Sequence, residues 1–331
     1  MDAREALAAR FRAHSGSITS SPMYVDLMDR CAADIVAGGP VWRLMEEHAG
    51  PPDSVPALRL LGAVHRLVLS GNAPGLAPYY PSAGGTYDGD RAWPAFLDVV
   101  AGPVPGLDRT LQTNEAARAA ALLGGFHAVS LAYGRPLRLL EAGASAGLLL
   151  RFDAYRYDGP AGSWGALDSP VRLAIPDLPL DPAFVVAERR GCDRAPIDPA
   201  SADGRLTLLS YVWADQLDRL DRLRAALDVA ARVPLVVEEA DAVTWVRDRL
   251  REDAGGAVPV VYHSVVLQYL TPPAREAFVA TIAEAEGPRA WLRFEPEGAE
   301  FVVRLTTWPG GEERVVATAH PHGYALRWLT T

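Results

Sequence analysis

The chain has no lysine; all 32 of its basic residues are arginine. That absence removes several chemistries at once. A pyridoxal Schiff base, a Walker-type phosphate loop and any lysine nucleophile each need an amine that this sequence does not supply. The usage itself reads as a GC-rich coding bias. Cysteine is almost as scarce. Cys31 and Cys192 stand far apart in no paired spacing, which fits a reducing compartment and leaves no zinc ribbon or disulfide framework. No run of about 18 uninterrupted apolar residues occurs, so neither a membrane span nor a membrane partner is expected. The first residues, MDAREALAARFRAH, mix acids and bases without an apolar core of signal-peptide length. A soluble, cytoplasmic protein is the expectation. The net charge of −9 argues against nucleic acid as the main partner and favours a small-molecule substrate.

What is present is a chain of two characters. Residues 1–130 read as helices joined by Pro/Gly-rich connections: Met23 to Ala37, Val55 to Leu69 and Glu115 to Leu131 have apolar residues at helical spacing, and Gly71 to Asp90 reads as loop. From residue 131 short β-type runs alternate with helical ones. The runs are Leu137 to Leu140, Phe184 to Ala187, Leu235 to Val237, Val258 to Tyr262 and Ala290 to Phe294; the helices are Gln216 to Ala231, Ala242 to Arg251 and Pro273 to Glu286. Such alternation predicts a mainly parallel sheet covered on both faces. Glu300 to Thr307 and Glu312 to Ala319, flanking Trp308-Pro309-Gly310-Gly311, predict a closing antiparallel β-hairpin. The expected fold is α/β, with a Rossmann-like domain over 131–331 and a helical region over 1–130 on its substrate side.

The chemistry concentrates at Glu141-Ala-Gly143-Ala144-Ser145-Ala-Gly147, between an apolar strand and an apolar helix-like run. Small residues there let a backbone approach a ligand closely. A nicotinamide fingerprint fits poorly, because Ser145 and Leu148 stand where it wants glycines and no acid follows about 20 residues on at a second strand's end. Gly143-Ala-Ser145-Ala-Gly147 does match the Gly-x-Ser-x-Gly elbow of α/β-hydrolases, and Asp241 with His320 or His322 would follow in that order. Against that reading, the preceding 130 residues look helical, where a hydrolase would already have laid down several strands.

The same stretch resembles motif I of the class I S-adenosylmethionine-dependent methyltransferases, an acid followed by alternating glycines, with Ser145 in place of the middle one. The resemblance implies S-adenosylmethionine as cofactor, held by Glu141, Gly143, Ala144, Ser145 and Gly147, with Glu141 near the methionine ammonium. Glu238 to Ala242 resembles that family's acidic motif, with Asp241 toward the adenine; a solvated helix cap explains Asp241 equally. Val260 to Leu270 resembles its motif IV, which would bring Ser264 to the cofactor. His263 is then either a general base or a satisfied, partly buried histidine, and Gln268 either hydrogen-bonds the substrate or sits on the helix face. More narrowly, the segments LQTNEAARAAALL, LEAGASAGLLLRFDAYRY, YVWADQLDRLDRLRAAL, VVYHSVVLQYL and LTTWPGGEERVVATAHPHG resemble members of a bacterial family known as domain of unknown function 2332. That family brings no established reaction. The expectation is methyl transfer to an undetermined small molecule, with a Ser145 hydrolase and a non-catalytic ligand-binding protein as alternatives.

Around these motifs, either Thr113 or Asn114 caps the helix that leads into the first strand, with Glu115 near its positive end, or Asn114, Glu115 and Arg118 edge a substrate cavity. His320-Pro321-His322 lacks an acidic or cysteine companion nearby, so His322 is read as facing the substrate rather than as a metal ligand. Asp153, Tyr155 and Tyr157 alternate as either a packing stripe or a segment near the cofactor. Asp215 is expected to cap the helix that follows it.

Overall fold

The computed structural model describes residues 2–16, 20–50, 55–112, 114–176, 184–298 and 300–329. Two compact units are present: Met1–Thr113 with Ser201–Asp221, and Asn114–Ala200 with Arg222–Thr331. Among the described residues no helix is long and apolar enough to cross a membrane.

The first unit is helical: α1 (Ala3–Ser15), α2 (Pro22–Ala37), α3 (Pro40–Met45), α4 (Pro56–Leu69), α5 (Gly89–Val100) and, after a long excursion of the chain, α7 (Ala202–Ser210). Proline occupies the first turn of α2, α3 and α4, where its missing N–H costs nothing. The glycine-rich loop from Gly71 holds only two 3-10 turns before α5. Phe11, Leu27, Ile35, Leu60, Val64 and Phe96 share one core, and Ala214 belongs to it. The segment 201–221 is tied in by polar contacts as well. Asp215 does not cap the helix after it as expected. Its carboxylate instead accepts from Ser21 Oγ (2.6 Å) and the amide of Met23 (3.2 Å), at the start of α2. Fully buried His65 donates Nδ1–H to the Ser210 carbonyl (3.1 Å).

The second unit opens with α6 (Arg118–Tyr133), expected at the end of the helical region but part of the α/β unit. Its strands are β1 (Leu137–Ala142), β2 (Arg156–Gly159), β3 (Gly162–Gly165), β4 (Arg172–Ala174), β5 (Val186–Asp193), β6 (Val237–Glu239), β7 (Val258–Ser264), β8 (Arg289–Glu297), β9 (Glu300–Trp308), β10 (Glu312–Ala319) and β11 (Arg327–Trp328). α8 (Leu217–Arg232) carries the chain from the first unit into the second, and α9 (Ala242–Arg251) and α10 (Pro272–Glu284) complete the set.

The main sheet runs β11-β10-β9-β8-β7-β1-β5-β6. From β6 to β8 every pairing is parallel, and from β8 to β11 every pairing is antiparallel. The hairpin expected at the end is therefore two strands of a meander that begins with β8. From β1 the chain moves outward to β5 and β6, then returns to β7 and β8 on β1's other side. That reversal is a topological switch point.

Strand alternation sorts the sheet's two faces. Leu140, Ala142, Cys192, Val261 and Trp291 pack with Val243, Trp245 and Val246 of α9 and Phe278 and Ile282 of α10. On the other face α6 crosses β8, β9 and β10. It lies close, since a Cβ on Gly125 would stand 2.3 Å from a methyl of Leu292. Beside it Phe126 stacks on Phe152 (centroids 4.5 Å apart) and meets the edge of Tyr262 (5.1 Å).

Two departures from expectation matter for the site. No α-helix follows the glycine turn; a six-residue 3-10 segment, Leu149–Ala154, takes its place, kinked at Arg151. A separate three-stranded sheet, β3-β2-β4, then intervenes before β5. There Tyr155 and Tyr157 are packing residues. Their hydroxyls donate to the carbonyls of Leu148 (2.7 Å) and Phe152 (2.8 Å).

Candidate functional site

At the carboxyl end of β1 the chain turns through Gly143, Ser145 and Gly147, all in the left-handed region (φ 70°, 53° and 66°). For Ser145 this conformation costs about 1 kcal/mol, so the turn needs fastening. Asp193, the last residue of neighbouring β5, supplies one fastening. Its carboxylate accepts from the amide of Ser145 (2.9 Å) and from the amide of Ala195 (2.9 Å). The amide of Ala144 donates to the Cys192 carbonyl (2.9 Å). Asn114 supplies another: its Nδ2 donates to Ser145 Oγ, and its Oδ1 accepts from the amide of Ala146 (3.4 Å). Beneath the turn Arg151, 1 % exposed, donates to the carbonyls of Ala146 (3.2 Å), Gly147 (2.8 Å) and Val233 (2.7 Å).

Glu141 lies within the sheet rather than at its edge. It is 2 % exposed and accepts from the hydroxyl of Tyr262 on β7 (3.1 Å). Burial, reinforced by Asp193, pushes its carboxyl well above the ordinary value, against the pull of Tyr262 and Arg151. Its side-chain partner is the Tyr262 hydroxyl, so the methionine ammonium expected at Glu141 would have to reach a group enclosed within the sheet.

Next to β1 on the other side, β7 ends at Ser264 and the chain enters a tight bend. Val265 has φ 60°, an outlier for a β-branched residue that costs of order 1–3 kcal/mol. Its amide still donates to the Phe294 carbonyl (2.9 Å). The following amides, Val266 (2.8 Å) and Leu267 (3.3 Å), both donate to Oε1 of Glu295 on β8. His263 meets the same oxygen through Nδ1 (2.7 Å). Its Nε2 accepts from the indole N–H of Trp291 (3.0 Å). An indole only donates, so Nε2 carries no proton and the neutral ring gives its Nδ1–H to Glu295. Burial opposes the charge on Glu295, yet the His263 bond and the two amides outweigh it and hold the carboxyl below its ordinary value. His263 was read either as a general base or as a satisfied, partly buried histidine. It is fully buried, turned toward α10, and both nitrogens are committed, so its ring is a structural group.

A third cluster joins the start of α6 to the end of β7. Arg118, 7 % exposed, donates from Nε to the Pro321 carbonyl (2.8 Å) and from Nη1 to Ser264 Oγ (3.3 Å). The loop carrying His320 and His322 is thereby fixed beside Ser264, with the two imidazoles 5.1 Å apart. Glu115 is buried; its Oε1 accepts from the Ala117 amide (3.4 Å) and lies 3.5 Å from the Arg222 guanidinium.

A family model described as "Uncharacterized protein conserved in bacteria (DUF2332)" matches residues 7–328. The chain belongs to that family. No curated protein and no solved structure matches it.

In this DUF2332 protein the anticipated residues divide cleanly. Asn114, Gly143, Ala144 and Ser145 form one cluster at the end of β1, while Arg118, Ser264 and the His322 loop form another at the end of β7. Gln268 is exposed on a 3-10 turn, Leu267–Tyr269. Asp241 is exposed at the end of edge strand β6 and caps α9, accepting from the Thr244 amide (3.1 Å). Gly147 faces Leu235 and Val237, so its close approach is to the sheet. Thr113 lies outside the described residues. Among those described, no group of three or more His, Cys, Asp or Glu could hold a metal ion. Asp193, Arg151 and Glu295 were not anticipated. The signal for Asp193 was an acid closing a strand beside β1, but the inserted small sheet moves it about 50 residues beyond the glycine turn, far outside the window in which such an acid is sought.

Proposed function

We propose that the protein binds S-adenosylmethionine at the switch point beyond β1 and transfers its methyl group to a small molecule. The observation that carries this reading is the Asp193 carboxylate seated on the amide of Ser145. A glycine turn that binds phosphate leaves its amides to the ligand and opens a helix whose dipole favours an anion. Here a carboxylate already takes the amide, and only a short 3-10 segment follows. An anionic pyrophosphate would meet a negative group. A nucleoside that carries a sulfonium in place of phosphate meets an attractive one, and a strand-end acid is the group that accepts ribose hydroxyls in such sheets.

The same contacts weigh against the serine hydrolase. Its oxyanion hole would use the amide after Ser145, and that amide, of Ala146, already donates to Asn114.

Bound S-adenosylmethionine would supply an electrophilic methyl group. The chain's own residues orient and enclose. Asp193 and the backbone at Gly143 and Ala144 would hold the nucleoside side. Ser264, positioned by Arg118, and Asn114 would face the acceptor side and keep it in line. With His263 committed to Glu295 and Trp291, His322, on the loop that Arg118 holds beside Ser264, would take a proton where the acceptor must lose one.

Calorimetric titration of the purified protein with S-adenosylmethionine and S-adenosylhomocysteine tests the reading. Saturable heat with both is expected. No heat and no thermal shift at about millimolar ligand, a floor near 4 kcal/mol of binding energy, would sink it. Labelling of Ser145 by a fluorophosphonate probe would reinstate the hydrolase.

A further inference from the structure

Gly143 and Val266 come from different strands' ends, yet they interlock. A Cβ added to Gly143 would stand 2.6 Å from Cγ2 of Val266. The valine methyl therefore rests against the glycine backbone at the place where a ligand at the switch point would pass. Val266 cannot swing away by a simple rotamer change, because β-branching leaves few alternatives, and its backbone follows the strained Val265. One carboxylate oxygen holds that backbone: Glu295 Oε1 accepts from the amides of Val266 and Leu267 and from His263 Nδ1. Trp291 fixes the imidazole from behind.

We propose that Glu295 is a positioning residue: oriented by His263 and Trp291, its carboxylate holds the Val265–Leu267 bend so that Val266 rests on Gly143 and fixes the width of the ligand cleft. Val266 is then the residue that limits how bulky a ligand can be at the glycine turn. The proposal rests on the switch point being the ligand site, but the clamp itself is testable without any ligand.

Hydrogen exchange of the Val266 and Leu267 amides, ring-nitrogen NMR of His263, and calorimetry with S-adenosylhomocysteine are measured on wild type, Glu295→Gln and Val266→Ala. In wild type, slow exchange at both amides and an Nδ1–H tautomer are expected. Glu295→Gln is expected to speed exchange at least about tenfold, to mix the tautomers, and to weaken S-adenosylhomocysteine about tenfold. Val266→Ala is expected to keep both protection and tautomer, and to accept a ribose-O-methylated analogue of S-adenosylhomocysteine, which wild type rejects. The Gly143→Ala substitution should lower the melting temperature less on the Val266→Ala background than on wild type, since the shortened side chain removes the clash. Unchanged exchange in Glu295→Gln, or additive melting shifts for Gly143→Ala and Val266→Ala, overturns the clamp. Faster exchange with unchanged affinity reduces Glu295 to a purely structural role and overturns the proposal. If wild type binds no nucleoside, the cofactor reading fails, and the exchange, tautomer and melting results still decide the clamp.

Discussion

Glu141 and Glu295 are both buried carboxyls on neighbouring or near-neighbouring strands of one sheet, and their surroundings push them in opposite directions. Glu141 gains one hydroxyl donor against full burial; Glu295 gains two amides and an imidazole. The raised value at Glu141 means the folded state holds that proton more tightly than the unfolded chain does. Its stabilising contribution is therefore complete below the ordinary value of 4.5 and is lost as pH rises through the folded value. Glu141→Gln, which still accepts from Tyr262, should match wild type within about 1 kcal/mol in acid and gain on it as pH rises, in urea denaturation across the pH range. Glu141→Ala should cost about 2–4 kcal/mol throughout, through a cavity and an orphaned Tyr262 hydroxyl. Glu295 carries the opposite sign: its contribution is present above 4.5 and is lost as pH falls through the depressed folded value. Protection of the Val266 amide should therefore collapse on acidification, a trend exchange rates will show. At Asp193 the expected change is in binding and in the turn together. Asp193→Asn removes the charge and keeps an acceptor for only one of the Ser145 and Ala195 amides, so cofactor affinity should fall about tenfold or more and stability by about 1–2 kcal/mol. The tight turn after β1 was legible from Gly143 and Gly147. The state of His263 was not, because its tautomer depends on a tryptophan and a glutamate from another strand.

Periodicity reveals an element when its partners are apolar and misleads when they are ionic. β1 and β7 are buried along nearly their whole length, and their apolar runs were readable. β5 was placed too early, over Phe184 to Ala187, because most of it is Glu-Arg-Arg-Gly-Cys-Asp. Those charges are satisfied by Arg189 with Asp153 and by Arg190 with Glu238 and Glu252, so a strand hides inside a charge run. Next to it on β1, Arg138 is 2 % exposed and joins Glu188 and Glu252 while donating to the Arg249 carbonyl (3.0 Å). Arg138→Ala should destabilise by about 1–3 kcal/mol, through the lost packing of its buried stem and the orphaned Arg249 carbonyl, since Glu188 and Glu252 are partly exposed and keep Arg190 and Arg249 as partners. Arg190→Ala, at a more open position, should cost under about 1 kcal/mol. Denaturant midpoints of the two variants check the difference. The small sheet β3-β2-β4 escaped notice for another reason: its strands are three or four residues long and rich in glycine and charge, so neither alternation nor propensity accumulates.

Across the whole chain, the parallel-then-antiparallel order of the main sheet was readable from the spacing of apolar runs, and so was the helical character of the first hundred residues. The division into units was not. Nothing in the pattern of residues 201–221 marks them as partners of the N-terminus; that depends on Ala214 joining a distant core and on Asp215 reaching α2. Asp215→Ala should lower stability by about 1–2 kcal/mol through loss of the contacts to Ser21 and Met23, read from the denaturation midpoint. The discontinuity also has a consequence for synthesis. A ribosome delivering roughly 5–20 residues per second releases residues 1–112 well before it makes Trp213 and Asp215. For several seconds the helical unit exists without its last piece, and a complete α/β front end is translated in the interval. Its first-made residues are thus obliged to wait, and the helical unit is completed only after synthesis of the α/β unit has begun.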